Sequence, residues 1–144
     1  MQQKIYLAPF YMIAATLIGL GDVLYLSYYQ YLNLIPSCAV GGCEMVLSSV
    51  YSKFMGVPLS YIGIVYYVYL LCLGALLAFE PTSRALRLAT LLYTGVGLLL
   101  SLVFEFYIQL VLIQALCVYC AISAVTTFVL FSLAVWHYNA TRNR

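Results

Sequence analysis

The segment FYIQLVLIQALCVYCAISAVTTFVLFSLAVW, residues 106–136, is the most informative stretch of this chain. It contains no Asp, Glu, Lys, Arg or His, and it exceeds the roughly 20 apolar residues that a helix needs to cross a bilayer. It also contains a Cys-x-x-Cys pair, Cys117 and Cys120. A thioredoxin-like dithiol or a zinc site is disfavoured, because no βαβ pattern surrounds the pair and no His lies nearby. The pair therefore indicates thiol chemistry at a membrane.

The whole chain has the composition of an integral membrane protein. Of its 144 residues, 66% are hydrophobic and only 7% are charged, against about 25% charged in soluble domains. Further uncharged or apolar runs cover 5–21, 54–79 and 88–104. These runs predict an all-α bundle of four membrane helices at about 5–28, 60–80, 86–108 and 112–137, with an outer loop at about 30–58. No linker or repeat interrupts residues 1–144, so we expect a single domain.

The distribution of positive charge predicts the orientation of the chain. Four spans put both termini on one side of the membrane, and Lys and Arg are enriched on the cytoplasmic side. The positive charges expected on the side of the termini are Lys4, Arg84, Arg87, Arg142 and Arg144. The opposite side carries only Lys53. We therefore expect a multi-pass protein of the cell membrane, with cytoplasmic termini and with the 30–58 loop and a turn at about 108–112 facing outward.

Four of the five cysteines are predicted to lie together on the outer face. Cys38 and Cys43 fall in the outer loop, and Cys117 and Cys120 fall in the first turns of the fourth helix, next to the same face. Disulfides persist on this side of a cell membrane, and a thiolate of one pair can attack the disulfide of another. Cys72, in the middle of the second span, is interpreted as a small packing residue.

The outer loop has a helical pattern of its own. Apolar residues in 44–55 recur at helical spacing, which predicts a short amphipathic helix on the membrane surface or over the mouth of the bundle. Cys43 would begin this helix, where the helix dipole favours a thiolate. Gly41 and Gly42 precede it and would allow Cys43 to approach Cys117.

Polar residues within the spans leave two interpretations open. Asp22 and Glu105 are costly at membrane depth, so each has either a functional role or a pairing or interfacial one. His137 is interpreted as an interfacial residue. The tyrosines near the predicted membrane boundaries form an aromatic belt or line the pocket of a flat aromatic ligand.

The motifs taken together resemble those of the vitamin K epoxide reductase family. They are Cys43-Glu-Met-Val-Leu-Ser-Ser49, Gly56-Val-Pro58, Gly63 and Cys117-Val-Tyr-Cys120, and the resemblance extends over nearly the whole chain. It implies a four-helix bundle around a quinone of the ubiquinone, menaquinone or vitamin K type. It also implies a thiol oxidoreductase, since prokaryotic members supply disulfides to a thioredoxin-fold, DsbA-like partner and pass the electrons to quinone.

The resemblance implies a role for each cysteine of the two pairs. Cys120 is expected to react with the quinone ring, and Cys117 to exchange with Cys43. Cys38 is expected to exchange with the dithiol of the partner. Ser49 corresponds to the family serine near the quinone.

Asp22 and Glu105 become possible proton donors under this interpretation, because reduction of a quinone takes up two protons. No metal and no nucleic acid is expected to bind. Ala124 occupies the position of a tyrosine in the animal enzymes, which disfavours reduction of vitamin K epoxide. The loop pair has four intervening residues, fewer than in the animal enzymes. No thioredoxin domain is fused to either end of the sequence, so we expect a separate partner.

Several alternatives remain open from the sequence. The first is a vitamin K or vitamin K epoxide reductase that uses a thiol donor. A DsbB-type enzyme has similar chemistry, but its Cys-x-x-Cys lies in the first outer loop, the reverse of the order here. A small four-helix multidrug transporter centred on Asp22 would not need exchange between Cys43 and Cys117. A structural four-span protein predicts inert cysteines.

Overall fold

The computed structural model describes residues 2–142, with side chains from Tyr6 onward. Arg144 and the side chain of Lys4, two of the charges that predict the orientation, lie outside the described residues. The helices are α1 (Gln2–Tyr31), α2 (Cys43–Ser48), α3 (Leu59–Phe79), α4 (Arg84–Leu102) and α5 (Val118–Arg142), and the strands are β1 (Lys53–Phe54) and β2 (Val57–Pro58).

Four of these helical segments are long and apolar enough to cross a membrane, which confirms the predicted four-helix membrane bundle. Helix α1 packs against α3 and α5, and α4 packs against α5 and α3, so the four spans form a closed ring. Because consecutive spans alternate in direction, the 32–58 loop and residues 114–117 lie at the same end of the bundle. The first and last described residues, Gln2 and Arg142, lie at the opposite end.

The third span extends further than its hydropathy predicts. Beyond α4 the chain continues as a wide π-helix, Val103–Ile113, and the connection to α5 lies at 114–117. The predicted turn at about 108–112 is therefore wrong, as is the predicted start of the fourth span at about 112. Gln114 ends the π-helix with a left-handed backbone (φ 56°), and the Ala115 N–H donates to the Gln109 carbonyl at 3.1 Å. No Gly, Pro or charge marks this turn, so hydropathy alone does not locate it.

The outer loop contains the predicted short helix, but α2 ends at Ser48 and not at Met55. Ser49 has an extended backbone, and its hydroxyl donates to the Val46 carbonyl at 2.6 Å, a local bond that competes with continuation of the helix. A 3₁₀ turn over 50–52 and the β1–β2 hairpin then lead directly into α3. Met55 and Gly56 form the hairpin turn with φ of 52° and 84°.

The core of the bundle lies along one stripe of α3. Tyr67, Leu70, Leu73 and Leu77 recur at helical spacing and pack with residues of α1 and α5, such as Met12 and Leu130. Tyr67 passes close to the backbone of α1 because Gly19 has no Cβ there, and its hydroxyl lies 2.8 Å from Ser123 Oγ.

Cys72 lies outside that stripe and is exposed on the outer surface of α3. The prediction of a buried packing residue is therefore wrong for Cys72.

Candidate redox site

All four predicted redox cysteines belong to one cluster at the loop end of the bundle. Cys43 and Cys117 are buried at 1% and 0% exposure, and Cys38 and Cys120 pack against them. Cys38 and Cys43 form a disulfide, with their Cα atoms 5.7 Å apart. This Cα separation is ordinary for a disulfide. Cys117 and Cys120 are free thiols.

Gly42 lets the loop cysteines reach Cys117. A Cβ built on Gly42 would overlap the backbone of Leu116, the residue before Cys117, and its nearest atom would be the Leu116 carbonyl oxygen. The backbone at Gly42 therefore contacts the backbone at Leu116 directly, and these residues immediately precede Cys43 and Cys117. Gly41 has a positive φ of 75° and open space around it, so it shapes the turn while Gly42 makes the contact.

The sequence predicted that Cys117 lies in the first turns of the fourth helix. In the structure, Cys117 is the residue immediately before α5. Its carbonyl accepts the Ala121 N–H at 2.9 Å, and its own N–H donates to Gln109 Oε1 at 3.0 Å. The pKa of the Cys117 thiol is lowered by a hydrogen bond with the Cys120 thiol and by the backbone N–H groups of Cys120 and Tyr119, against burial, which raises it. Cys117 therefore has the surroundings of a nucleophilic cysteine.

A cavity of about 230 Å³ lies between the spans, directly beside the cysteine cluster. It is lined by residues of all four spans and of the outer loop, mostly apolar ones. Of the four clustered cysteines, only Cys120 lines this cavity. Cys120 therefore touches both the cysteine cluster and the cavity, whereas Cys117 touches only the cluster.

Three buried polar atoms on the cavity lining lack a hydrogen-bond partner within the described part of the chain. They are Asp22 Oδ2, the Tyr66 hydroxyl oxygen and Glu105 Oε1. Unsatisfied buried polar atoms are rare and indicate a missing partner. An apolar cavity with a few polar atoms on its lining suits a small, mainly apolar ligand that carries polar groups.

A buried chain of hydrogen bonds connects the π-helix to the cysteines. Gln109 Nε2 donates to Glu105 Oε2 at 2.9 Å, and Gln109 Oε1 accepts the Cys117 N–H. Glu105 and Gln109 are 9% and 3% exposed. Gln109 is not among the residues predicted from the sequence, although an uncharged amide inside an apolar span is a signal of an internal partner.

The other predicted residues are distributed as follows. Ser49 and Asp22 line the cavity, as do Tyr66 and Tyr67, while Tyr28 and Tyr31 are exposed at the end of α1. The interpretations of the tyrosines as an aromatic belt or as the lining of a ligand pocket stay predictions. His137 is 2% exposed near the end of α5, and its interpretation as an interfacial residue stays a prediction.

The sequence profile described as the vitamin K epoxide reductase family matches residues 10–135, which include both cysteine pairs, the second and third spans in full and most of the first and fourth. The chain belongs to the vitamin K epoxide reductase family. This confirms the resemblance inferred from the motifs, and the four membrane helices make the chain a multi-pass membrane protein.

A curated relative is the thiol-disulfide oxidoreductase LTO1 of Arabidopsis thaliana, which is 34% identical over 121 residues. The alignment covers 79% of this chain and 32% of the relative. The chain thus spans about a third of the length of that relative.

Proposed function

We propose that this protein is a quinone-linked membrane thiol oxidoreductase that generates disulfides in a separate thioredoxin-fold partner. Electrons pass from the partner's dithiol to Cys38–Cys43, then to Cys117–Cys120, and from there to a quinone in the cavity. The observation that carries the proposal is the position of Cys120, which lies in both the cysteine cluster and the cavity lining. The family and the thiol-disulfide relative support chemistry on thiols.

The first exchange takes place at Cys38. A thiolate of the partner attacks the Cys38 sulfur, Cys43 leaves as a thiolate, and the partner's second thiol then displaces Cys38 and takes the disulfide away. Cys38 is the less buried member of the loop pair, which supports its assignment to the protein partner.

The second exchange transfers the disulfide within the protein. The Cys43 thiolate attacks Cys117 in an oxidised Cys117–Cys120 pair, Cys120 leaves, and Cys38 displaces Cys117 to re-form the loop disulfide. The burial of Cys43 and Cys117 in one cluster supports this direct attack. The result is a reduced Cys117–Cys120 dithiol beside the cavity.

The last step returns the dithiol to the disulfide. Cys117 and Cys120 lose two electrons and two protons, and the quinone takes up both electrons and both protons to become a quinol. The residues of the cavity fit this acceptor, because the Tyr66 hydroxyl is a donor without a partner among the described residues. Asp22 and Glu105 are the candidate proton donors, and Ser49 is proposed to contribute to the same site. Ala124 lines the cavity without a hydroxyl, which favours a quinone over an epoxide as the acceptor.

The orientation is part of the same proposal. We place the cysteine end of the bundle outside the cell membrane and the termini in the cytoplasm, as the positive charges indicate. Disulfide exchange with a secreted partner requires this arrangement.

Two variants test the proposal. Cys43→Ala leaves Cys38 without its resolving cysteine, so a mixed disulfide between Cys38 and a thioredoxin-fold protein should accumulate and be identified by mass spectrometry. Cys120→Ser should abolish quinone reduction by a dithiol donor in membranes, whereas Cys72→Ala should leave the rate unchanged. Quinone reduction at the normal rate by Cys120→Ser would show that the proposed electron path is wrong.

A further inference from the structure

The direction of the Gln109 amide is fixed by its two partners. The Cys117 backbone N–H is a donor only, so the Gln109 atom that it contacts at 3.0 Å must be the carbonyl oxygen. The amide NH₂ therefore faces Glu105 Oε2, at 2.9 Å. The reversed amide would bring two donors together at Cys117, and both side chains are buried away from water that might relieve this conflict.

This direction has a consequence for the Glu105 carboxyl. In a protonated carboxyl the C=O oxygen is a stronger acceptor than the hydroxyl oxygen, so the hydrogen bond from Gln109 favours Oε2 as the C=O oxygen. A proton held by Glu105 is therefore favoured on Oε1. Oε1 is the atom that has no partner in the described part of the chain, and Glu105 lines the cavity.

We propose that Gln109 is a positioning residue that keeps the exchangeable proton of Glu105 on Oε1, available to a ligand in the cavity. The proposal rests on the proposed function, in which Glu105 is a candidate proton donor. Glu105 releases its proton from Oε1 and takes up one of the two protons that leave Cys117 and Cys120, so the balance of the reaction is unchanged. Glu105 interacts electrostatically with both thiols, which supports this return of the proton.

The same amide also ties the proton donor to the dithiol. Gln109 contacts Cys117 through its oxygen and Glu105 through its nitrogen, so the two groups are held at a fixed relative position by one buried side chain. In the π-helix, Glu105 and Gln109 are four residues apart, and the wide turn places them on the same side of the bundle. Because Gln109 already holds the Glu105 carboxyl in place, this carboxyl need not be repositioned during the reaction.

Infrared spectroscopy of the full-length protein in detergent, at acid pH, tests the hydrogen bond without any turnover. The carbonyl stretch of the protonated Glu105 carboxyl is identified by its loss in Glu105→Gln. We expect this band to shift in Gln109→Met, which keeps the side-chain length but removes the amide, and in the second variant Gln109→Leu. Gln114→Asn, a change in an exposed amide of the same segment, is the control and should leave the band in place.

A kinetic double-mutant cycle tests whether Gln109 acts through Glu105. With ubiquinone-1 as acceptor and a dithiol donor, Glu105→Gln should lower kcat about 100-fold, as expected for loss of a general acid. Gln109→Met should lower kcat about tenfold with little change in the KM for quinone, as expected for loss of a buried hydrogen bond. In the Glu105→Gln background, Gln109→Met should change kcat by less than about threefold, because the residue acts through Glu105.

Three results would overturn the role of Gln109: an unmoved carboxyl band, kinetic losses that multiply in the double variant, or Glu105→Gln with normal kcat. The last result leaves quinone reduction by the cysteines intact. A wild-type protein that reduces no quinone would refute the proposed function instead, and the infrared band then decides separately whether Gln109 holds the Glu105 carboxyl.

Discussion

Gly42→Ala should separate the loop cysteines from Cys117 while leaving the backbone of the loop unstrained. Gly42 has a right-handed backbone (φ −92°), which alanine adopts without cost, so the only new feature is the methyl group. That methyl would overlap the Leu116 carbonyl oxygen, and ordinary contacts of a Cβ begin at 3.4 Å. The obstacle is backbone, so the loop must move by on the order of 1 Å, and a displacement of that size costs up to about 100-fold in a reaction that depends on position.

The assay isolates the exchange between the two pairs. In a background of Cys38→Ala, Cys72→Ala and Cys120→Ala, the remaining thiols are Cys43 and Cys117. The formation of their disulfide in a glutathione redox buffer is followed by mass spectrometry after alkylation. We expect Gly42→Ala to slow formation of the Cys43–Cys117 disulfide by about 10- to 100-fold.

Gly41→Ala is the matched control, because it adds the same methyl group to the neighbouring residue without a contact to Leu116. Gly41 has a positive φ of 75° and open space around it, so alanine there costs about 1 kcal/mol of backbone strain but meets no obstacle. It should lower the stability of the loop and leave the formation of the Cys43–Cys117 disulfide within about threefold of the parent. If Gly41→Ala slows the exchange while Gly42→Ala does not, contact with Leu116 does not determine the approach of the cysteines.

Two further predictions concern Cys117 and the cavity. In a protein without the loop cysteines, Cys120→Ala should raise the pKa of Cys117, because it removes the hydrogen bond that lowers this pKa most. Cys120→Ser should raise the pKa of Cys117 less, because a serine hydroxyl retains a donor. The pH dependence of the Cys117 alkylation rate measures both changes, and equal profiles for the two variants would contradict the prediction. Gly97→Ala should raise the KM for quinone about tenfold, since its Cβ would overlap the Tyr66 hydroxyl on the cavity lining. The control is Gly95→Ala, whose Cβ meets its neighbour at an ordinary 3.4 Å, and a similar KM in both variants would exclude Tyr66 from the site.

The prediction of the third span shows where hydropathy stops being informative. The runs without charge located four helices, since burying charge in hydrocarbon is costly along any span. Between Glu105 and Cys117 the residues are apolar or uncharged throughout, so no local signal separates a turn at 108–112 from one at 114–117. The π-helix that occupies this stretch is set by packing and by the Glu105–Gln109–Cys117 contacts, which come from different turns.

The amino-acid sequence alone is enough to predict that this chain spans a membrane four times and carries two cysteine pairs at one end. Charge content and cysteine spacing are local properties of the chain, so they can be read from the sequence without knowing how the helices pack. Only the tertiary structure separated Cys117 from Cys120, because residues three apart differ in surroundings only when neighbouring elements are in place. It also revealed Gln109, whose two partners lie four residues before it and eight after it. The direction of a buried amide depends on which donors and acceptors surround it, and these are brought together by folding.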